Sequence, residues 1–110
     1  MARRVADPAA ELATITDITT LAESFRRSLR AQNKSPRTVE GYLNGVRLFD
    51  LYLQRMGMPR IAAHIHREHV ESFVAQQVQQ HKANTAATRY RALQQFFRWL
   101  TAEGEPRSSP

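Results

Sequence analysis

The sequence predicts an all-α domain of four helices, on three observations. Apolar residues recur at intervals of three and four in four separate segments, each long enough for a globular helix. Capping chemistry brackets those segments, with Ser35-Pro36 and Asn84-Thr85 at two starts and Gly57 and Pro59 after one end. No stretch alternates apolar and polar residues with the period of two that a half-buried strand needs.

Residues 1–16 mix alanine, threonine, Pro8 and scattered charges without a sustained apolar period, which reads as a mobile leader. With Thr16 or Asp17 as N-cap, Ile18, Leu21, Ala22, Phe25 and Leu29 form the inner stripe of the first helix. Glu23, Arg26, Arg27 and Arg30 take its outer face, and an end is expected near Gln32 or Asn33. Ser35 caps the second helix and Pro36 suits its first position, where proline's missing N–H costs nothing. That helix should run to about Met56, with Val39, Tyr42, Leu43, Val46 and Leu53 on its apolar arc. Gly41 and Gly45 each weaken it by roughly 1 kcal/mol against alanine, and each permits close approach of another backbone, protein or nucleic acid.

A connector of residues 57–66 follows. His66 or a neighbour opens the third helix, about Arg67 to Gln80, with Val70, Phe73, Val74 and Val78 inward. Asn84 or Thr85 is expected to cap the fourth helix, which runs to about Ala102 with Tyr90, Leu93, Phe97 and Leu100 inward. The predicted division is therefore a leader over 1–16, a folded domain over 17–103 and a linker over 104–110. The closing Gly-Glu-Pro-Arg-Ser-Ser-Pro has the composition of an interdomain tether, so a longer parent protein is expected.

At 110 residues the chain supports one modest core and not two. The absence of cysteine excludes disulfides, thiolate metal sites and a thiol nucleophile. No apolar run approaches the roughly 20 residues of a membrane span, and Met1-Ala2-Arg3-Arg4 does not lead into a signal-peptide core. A cytoplasmic domain without membrane partner, small-molecule ligand or cofactor is expected. His64, His66 and His69 form a His-x-His-x-x-His run, yet no cysteine or carboxylate at a usual metal spacing completes it apart from Glu68, so a connector with a capping histidine is the reading.

Charge carries the functional signal. The formal net charge is +6, from fourteen arginines, the two lysines Lys34 and Lys82, and ten carboxylates. Between Ser24 and Val39 lie Arg26, Arg27, Arg30, Lys34 and Arg37 without one acidic residue, and between Ser72 and Ala102 lie Lys82, Arg89, Arg91 and Arg98 likewise. Such a surplus favours a polyanion. A helical wheel sets Thr88, Arg91, Gln95 and Arg98 opposite the apolar arc of the fourth helix, and Arg37, Asn44 and Arg47 opposite that of the second, with Glu40 discordant among them. Arginine, asparagine and glutamine are the side chains that pair bidentately with base edges in a major groove. Polar groups at two helix starts also suit phosphates lying across helix N-termini.

The two blocks together, Ser35-Pro36-Arg37-Thr38-Val39-Glu40-Gly41-Tyr42 with Leu43, Phe49 and Leu53, and then Asn84-Thr85-Ala86-Ala87-Thr88-Arg89-Tyr90-Arg91 running on to Phe96-Phe97-Arg98-Trp99-Leu100, resemble a known pattern. It is that of the N-terminal core-binding domain of tyrosine recombinases, the phage integrase and Xer-type enzymes. The resemblance covers about residues 18–105. It implies a SAM-like bundle of two crossed helical hairpins forming one half of a clamp around double-stranded DNA at a recombination half-site. It places DNA contact on Ser35, Arg37, Thr38 and Tyr42 and on Asn84, Thr85, Thr88, Arg89 and Arg91. It further implies a parent that cleaves and rejoins DNA with a tyrosine nucleophile on a separate catalytic domain, within a tetrameric synapse, in a prokaryotic or phage setting. The family's catalytic motifs are not found in these residues, so Tyr42, Tyr52 and Tyr90 are read as packed or groove-edge side chains and the chain itself as no enzyme.

Two other classes fit less of the pattern. A helical protein-interaction module would present the second and fourth helices to an acidic partner. An autonomous helix-turn-helix repressor would need a short recognition helix after a tight turn, which the expected loops do not supply.

Overall fold

The computed structural model describes residues 17–104; the expected leader, 1–16, and all of the expected linker except Gly104 lie outside the described residues. Within them are four helices: α1 (Ile18–Ala31), α2 (Pro36–Met56), α3 (Arg67–Gln80) and α4 (Ala83–Gly104). A 3-10 turn, Ala62–His64, lies in the α2–α3 connector. No strand occurs among the described residues; one isolated antiparallel bridge joins Asp17 to Ile61.

Local chemistry sets the boundaries. The Asp17 carboxylate accepts the Thr20 N–H at 3.0 Å and starts α1. Asn33, at φ 63°, ends it: the amides of Asn33 and Lys34 bond back to the carbonyls of Arg30 and Leu29, at 2.9 and 3.1 Å. Asparagine here does what glycine usually does in this closure. Ser35 Oγ accepts the Thr38 N–H at 3.1 Å to start α2, and Gly57, at φ 68°, closes it. His66 and His69 open α3 with reciprocal side-chain-to-backbone bonds, so the expected capping histidine is a pair.

One expectation from capping and two from periodicity fail. Helix α4 begins at Ala83, with the Ala86 N–H bonded to the Lys82 carbonyl at 3.1 Å. Asn84 and Thr85 therefore sit in its first turn instead of capping it. Val78 is 59% exposed and Tyr90 43% exposed, although both fall on the predicted inner stripes. The inward position on α3 after Phe73 is Gln77, which is buried because its amide has a partner on α4.

Each helix contributes one essentially inaccessible phenylalanine: Phe25, Phe49, Phe73 and Phe96. Phe25 meets Phe96 edge-on at 5.3 Å and Phe49 meets Phe73 at the same centroid distance, so aromatic contact ties α1 to α4 and α2 to α3. Phe97 and Trp99 lie half-buried against this cluster. Four residues join α1 to α2, and only His81 and Lys82 join α3 to α4; both pairs are therefore antiparallel hairpins.

The hairpins cross where α2 meets α4. A Cβ built on Gly45 would lie 2.5 Å from Ala92 Cβ, closer than two carbons can pack. Phe49, one turn further along α2, meets Phe97 at 6.3 Å, so the contact advances along both helices together and the two N-termini lie on the same side of the crossing. Of the two glycines in α2, only Gly45 serves this approach. A Cβ at Gly41 would meet nothing within 4 Å.

The opposite end is closed by charge. Asp50, 5% exposed, accepts from Arg60 Nε at 2.7 Å and Nη2 at 3.1 Å, and from Gln54 at 2.8 Å. Arg60 also stands 3.4 Å from Asp17, and its carbonyl accepts the Ile18 N–H at 3.1 Å. One arginine of the connector thus fastens the start of α1 to the buried face of α2. Burial alone would raise the Asp50 carboxyl, but hydrogen bonds from Arg60, Thr19 and Gln54 and the Arg60 charge outweigh it and hold the group below the usual carboxylate range.

Arg60→Ala is expected to cost about 2 kcal/mol in chemical denaturation, less than the roughly 3–5 kcal/mol of a fully buried pair because Arg60 keeps about a third of its side chain in water. A folded-state carboxyl held low contributes stability that is complete above the unfolded value and lost as pH falls through the folded one. Wild type should therefore lose more stability below about pH 4 than Asp50→Asn does, and parallel acid curves would contradict the network. For the crossing, Gly41→Ala should gain up to about 1 kcal/mol of helix propensity, whereas Gly45→Ala should lose about 1–2 kcal/mol as the backbones are forced apart. Equal thermal shifts in the two variants would refute the close approach.

Candidate nucleic-acid interface

On the N-terminal side of the crossing, α2 and α4 diverge around an open cleft of about 270 Å³ lined by Gly41, Asn44, Asn84, Thr85, Thr88 and Arg89. Its chemistry is amide, hydroxyl and guanidinium, with no carboxylate in the lining. The missing side chain at Gly41 leaves backbone exposed on the α2 wall, so a partner can approach that helix closely.

Arg89 is fixed in this cleft from behind. Its Nη1 donates to Gln77 Oε1 at 2.6 Å, and the Gln77 amide donates onward to Gln76 at 2.8 Å. A planar donor held by one arm and half-buried is pre-oriented, so less freedom is lost when its remaining N–H groups bind an anion. Asn44 is oriented too: its side-chain oxygen accepts from Arg47 Nη2 at 2.7 Å, which restrains the amide.

The two helix starts differ. At α2 the Ser35 hydroxyl accepts the Thr38 amide and donates to Thr38 Oγ1 at 3.0 Å, and Pro36 has no N–H to offer. At that end the Thr38 amide is taken up by Ser35, so fewer backbone donors are open there than at the start of α4. At α4 the first bond of the helical ladder is made by Ala86, which leaves the amides of Ala83, Asn84 and Thr85 outside that ladder, beside the cleft.

Of the twelve residues singled out from the sequence, Asn44, Asn84, Thr85, Thr88 and Arg89 come together in the cleft. Arg37, Arg47 and Arg91 are exposed on the same two helices without lining it, and Gln95 is half-buried further along α4. Ser35 and Thr38 are occupied with each other. Tyr42 stacks at 6.4 Å on Phe25, which commits its ring to the α1–α2 hairpin. Tyr52 is buried and hydrogen-bonded to Ser72, and Tyr90 lies along an apolar hollow with Ile65, Val70, Leu93 and Phe97, so the three tyrosines hold packed or groove-edge positions. Sequence reasoning missed Gln77; its only signal was a polar residue four positions after Phe73 on an inner stripe.

Carboxylates lie elsewhere. Among the described residues the ion pairs are Arg26–Glu23, Arg60–Asp17 and Arg60–Asp50, none of which involves Arg37, Arg47, Arg89, Arg91 or Arg98. Glu40, the discordant charge of α2, lines a neighbouring hollow with Arg30, Lys34, Pro36 and Val39. No cluster of histidine, cysteine or carboxylate side chains suited to a metal ion occurs among the described residues, and no helix among them is long and apolar enough to cross a membrane.

Comparison with known families gives a match over residues 22–104 to the model described as phage integrase, N-terminal SAM-like domain. No curated protein and no solved structure gave a match. The matched span takes in all of α2, α3 and α4 and most of α1, including both hairpins and every residue that lines the cleft. The chain belongs to the family of phage integrase N-terminal SAM-like domains.

Proposed function

We propose that this domain binds duplex DNA through the α2–α4 cleft and serves as the core-binding half of a clamp at a recombination half-site in an integrase-like tyrosine recombinase. The observation that carries the reading is the crossing at Gly45 and Ala92. It gathers Asn44, Asn84, Thr85, Thr88 and Arg89 around one carboxylate-free opening flanked by exposed arginines. Family membership supports the same partner.

The division of labour follows from chemistry. Arg37, Arg47, Arg91 and Arg98 supply charge that neutralises phosphates without reading sequence. Asn44, Asn84 and the pre-oriented Arg89 carry the donor and acceptor geometry suited to base edges. Strand cleavage and rejoining belong to a catalytic domain of the parent protein, and assembly on DNA, in the cytoplasm of a bacterium or in phage infection, belongs to that parent as well.

Fluorescence anisotropy of a labelled duplex across a salt series tests this. Contact with roughly four to six phosphates gives a log-log slope near −4 to −5. Arg91→Ala should make that slope shallower by about 1 while leaving the melting temperature unchanged, since the side chain is exposed. An acidic protein partner in place of DNA predicts no binding to duplex at low salt, and that result would end the DNA reading.

A further inference from the structure

The chain has two lysines among sixteen basic side chains, and both stand at the turns of the two hairpins. Lys34 lies in the α1–α2 turn, two residues before α2, and Lys82 directly precedes α4. Since α2 and α4 start on the same side of their crossing, the two turns that carry these lysines lie at one end of the bundle, one from each hairpin, and the cleft opens between those helices.

Each lysine backbone is fixed. The Lys34 N–H bonds to the Leu29 carbonyl at 3.1 Å, closing α1, and the Lys82 carbonyl accepts the Ala86 N–H at 3.1 Å, opening α4. Both side chains are exposed and neither takes part in an ion pair among the described residues, although Glu40 lines the same hollow as Lys34. At such positions arginine, the residue used at every other basic site, would offer a planar fork that demands one approach angle. Lysine offers a compact charge on a long flexible stem, suited to a phosphate whose orientation varies. A duplex entering the cleft presents two rows of phosphates, one on each side of the groove facing the protein.

We infer that Lys34 and Lys82 are paired phosphate contacts that straddle the groove seated on the α2–α4 cleft, one on each strand, and thereby set the domain's position across the duplex. This rests on the DNA reading above and adds to it two residues outside the cleft.

Lysine-selective acetylation tests it, because this chain offers only Lys34, Lys82 and the N-terminal amine. The full chain is treated with an N-hydroxysuccinimide acetyl ester, with and without a saturating 20-base-pair duplex, and each site is quantified by peptide mass spectrometry while anisotropy monitors binding. Both lysines should be protected severalfold by DNA. Lys34→Gln and Lys82→Gln should each make the salt slope shallower by about 0.9, the double variant by about 1.8, and the Lys→Arg variants should restore it, with far-UV circular dichroism unchanged throughout. An anisotropy rise with either lysine acetylated as fast as in free protein overturns this inference and leaves the DNA reading standing. No anisotropy rise at low salt overturns both.

Discussion

The contact at Gly45 and Ala92 is the constraint on which the rest of the molecule depends. Two antiparallel hairpins with apolar faces can stack in several ways, and ridge-and-groove packing alone leaves the choice open. Removing one Cβ at the point of closest approach favours a single arrangement, in which α2 and α4 nearly touch and then separate toward their starts. The cleft is the geometric remainder of that crossing. Its lining residues need no loop to bring them together, because each is carried on a helix whose inner face is committed to the four-phenylalanine core. Sites on rigid elements keep their geometry with less entropic loss on binding than loop-borne ones.

Asp50, Arg60 and Asp17 form the counterpart at the other end. The ten-residue connector between the hairpins would otherwise leave their relative rotation loosely determined. Arg60 binds the buried face of α2 and the first turn of α1 at once, and the bridge from Asp17 to Ile61 extends that hold along the backbone. Two carboxylates are consumed by one arginine there. Asp17 and Asp50 are thereby compensated at the connector end, while Lys34, Arg37 and Lys82 stand exposed at the turn end, with Glu40 beside Lys34.

Much of this could be read from the sequence where local chemistry decides the outcome. Ser35-Pro36 and Gly57 fix both ends of α2, and His66 opens α3 where expected, because caps act within four residues. Tertiary relations could not be read that way. Gly41 and Gly45 are indistinguishable by spacing, and only the position of Ala92 tells which is a packing requirement and which an open wall. Val78 and Tyr90 satisfy the helical period yet lie outside, since a stripe predicts a face and not the place where the opposing helix stops. Gln77 is buried because Arg89, twelve residues on, donates to its side-chain oxygen, and Asp50 is buried because Arg60 donates to its carboxylate. Buried polar residues are legible only in pairs, and pairing is a property of the fold.

The electrostatics of the turn end also differ from the picture that helix starts alone suggest. At that end the positive dipole ends of α2 and α4 lie beside the negative ends of α1 and α3, because each hairpin is antiparallel. Equal and opposite partial charges of about half a unit each cancel beyond the first turn. The α2 start is further silenced by Ser35 and by Pro36. A long-range cationic field at this face must therefore come from side chains, which is what the two carboxylate-free stretches provide. Backbone donors keep a short-range role at α4 alone, where Asn84 and Thr85 stand in the first turn and leave its amides uncapped by their own residues. The asymmetry assigns the two helices different tasks: α2 contributes an open wall at Gly41 and an oriented amide at Asn44, and α4 contributes donors. Attraction at a distance and registration at contact are thus carried by different atoms of the same interface.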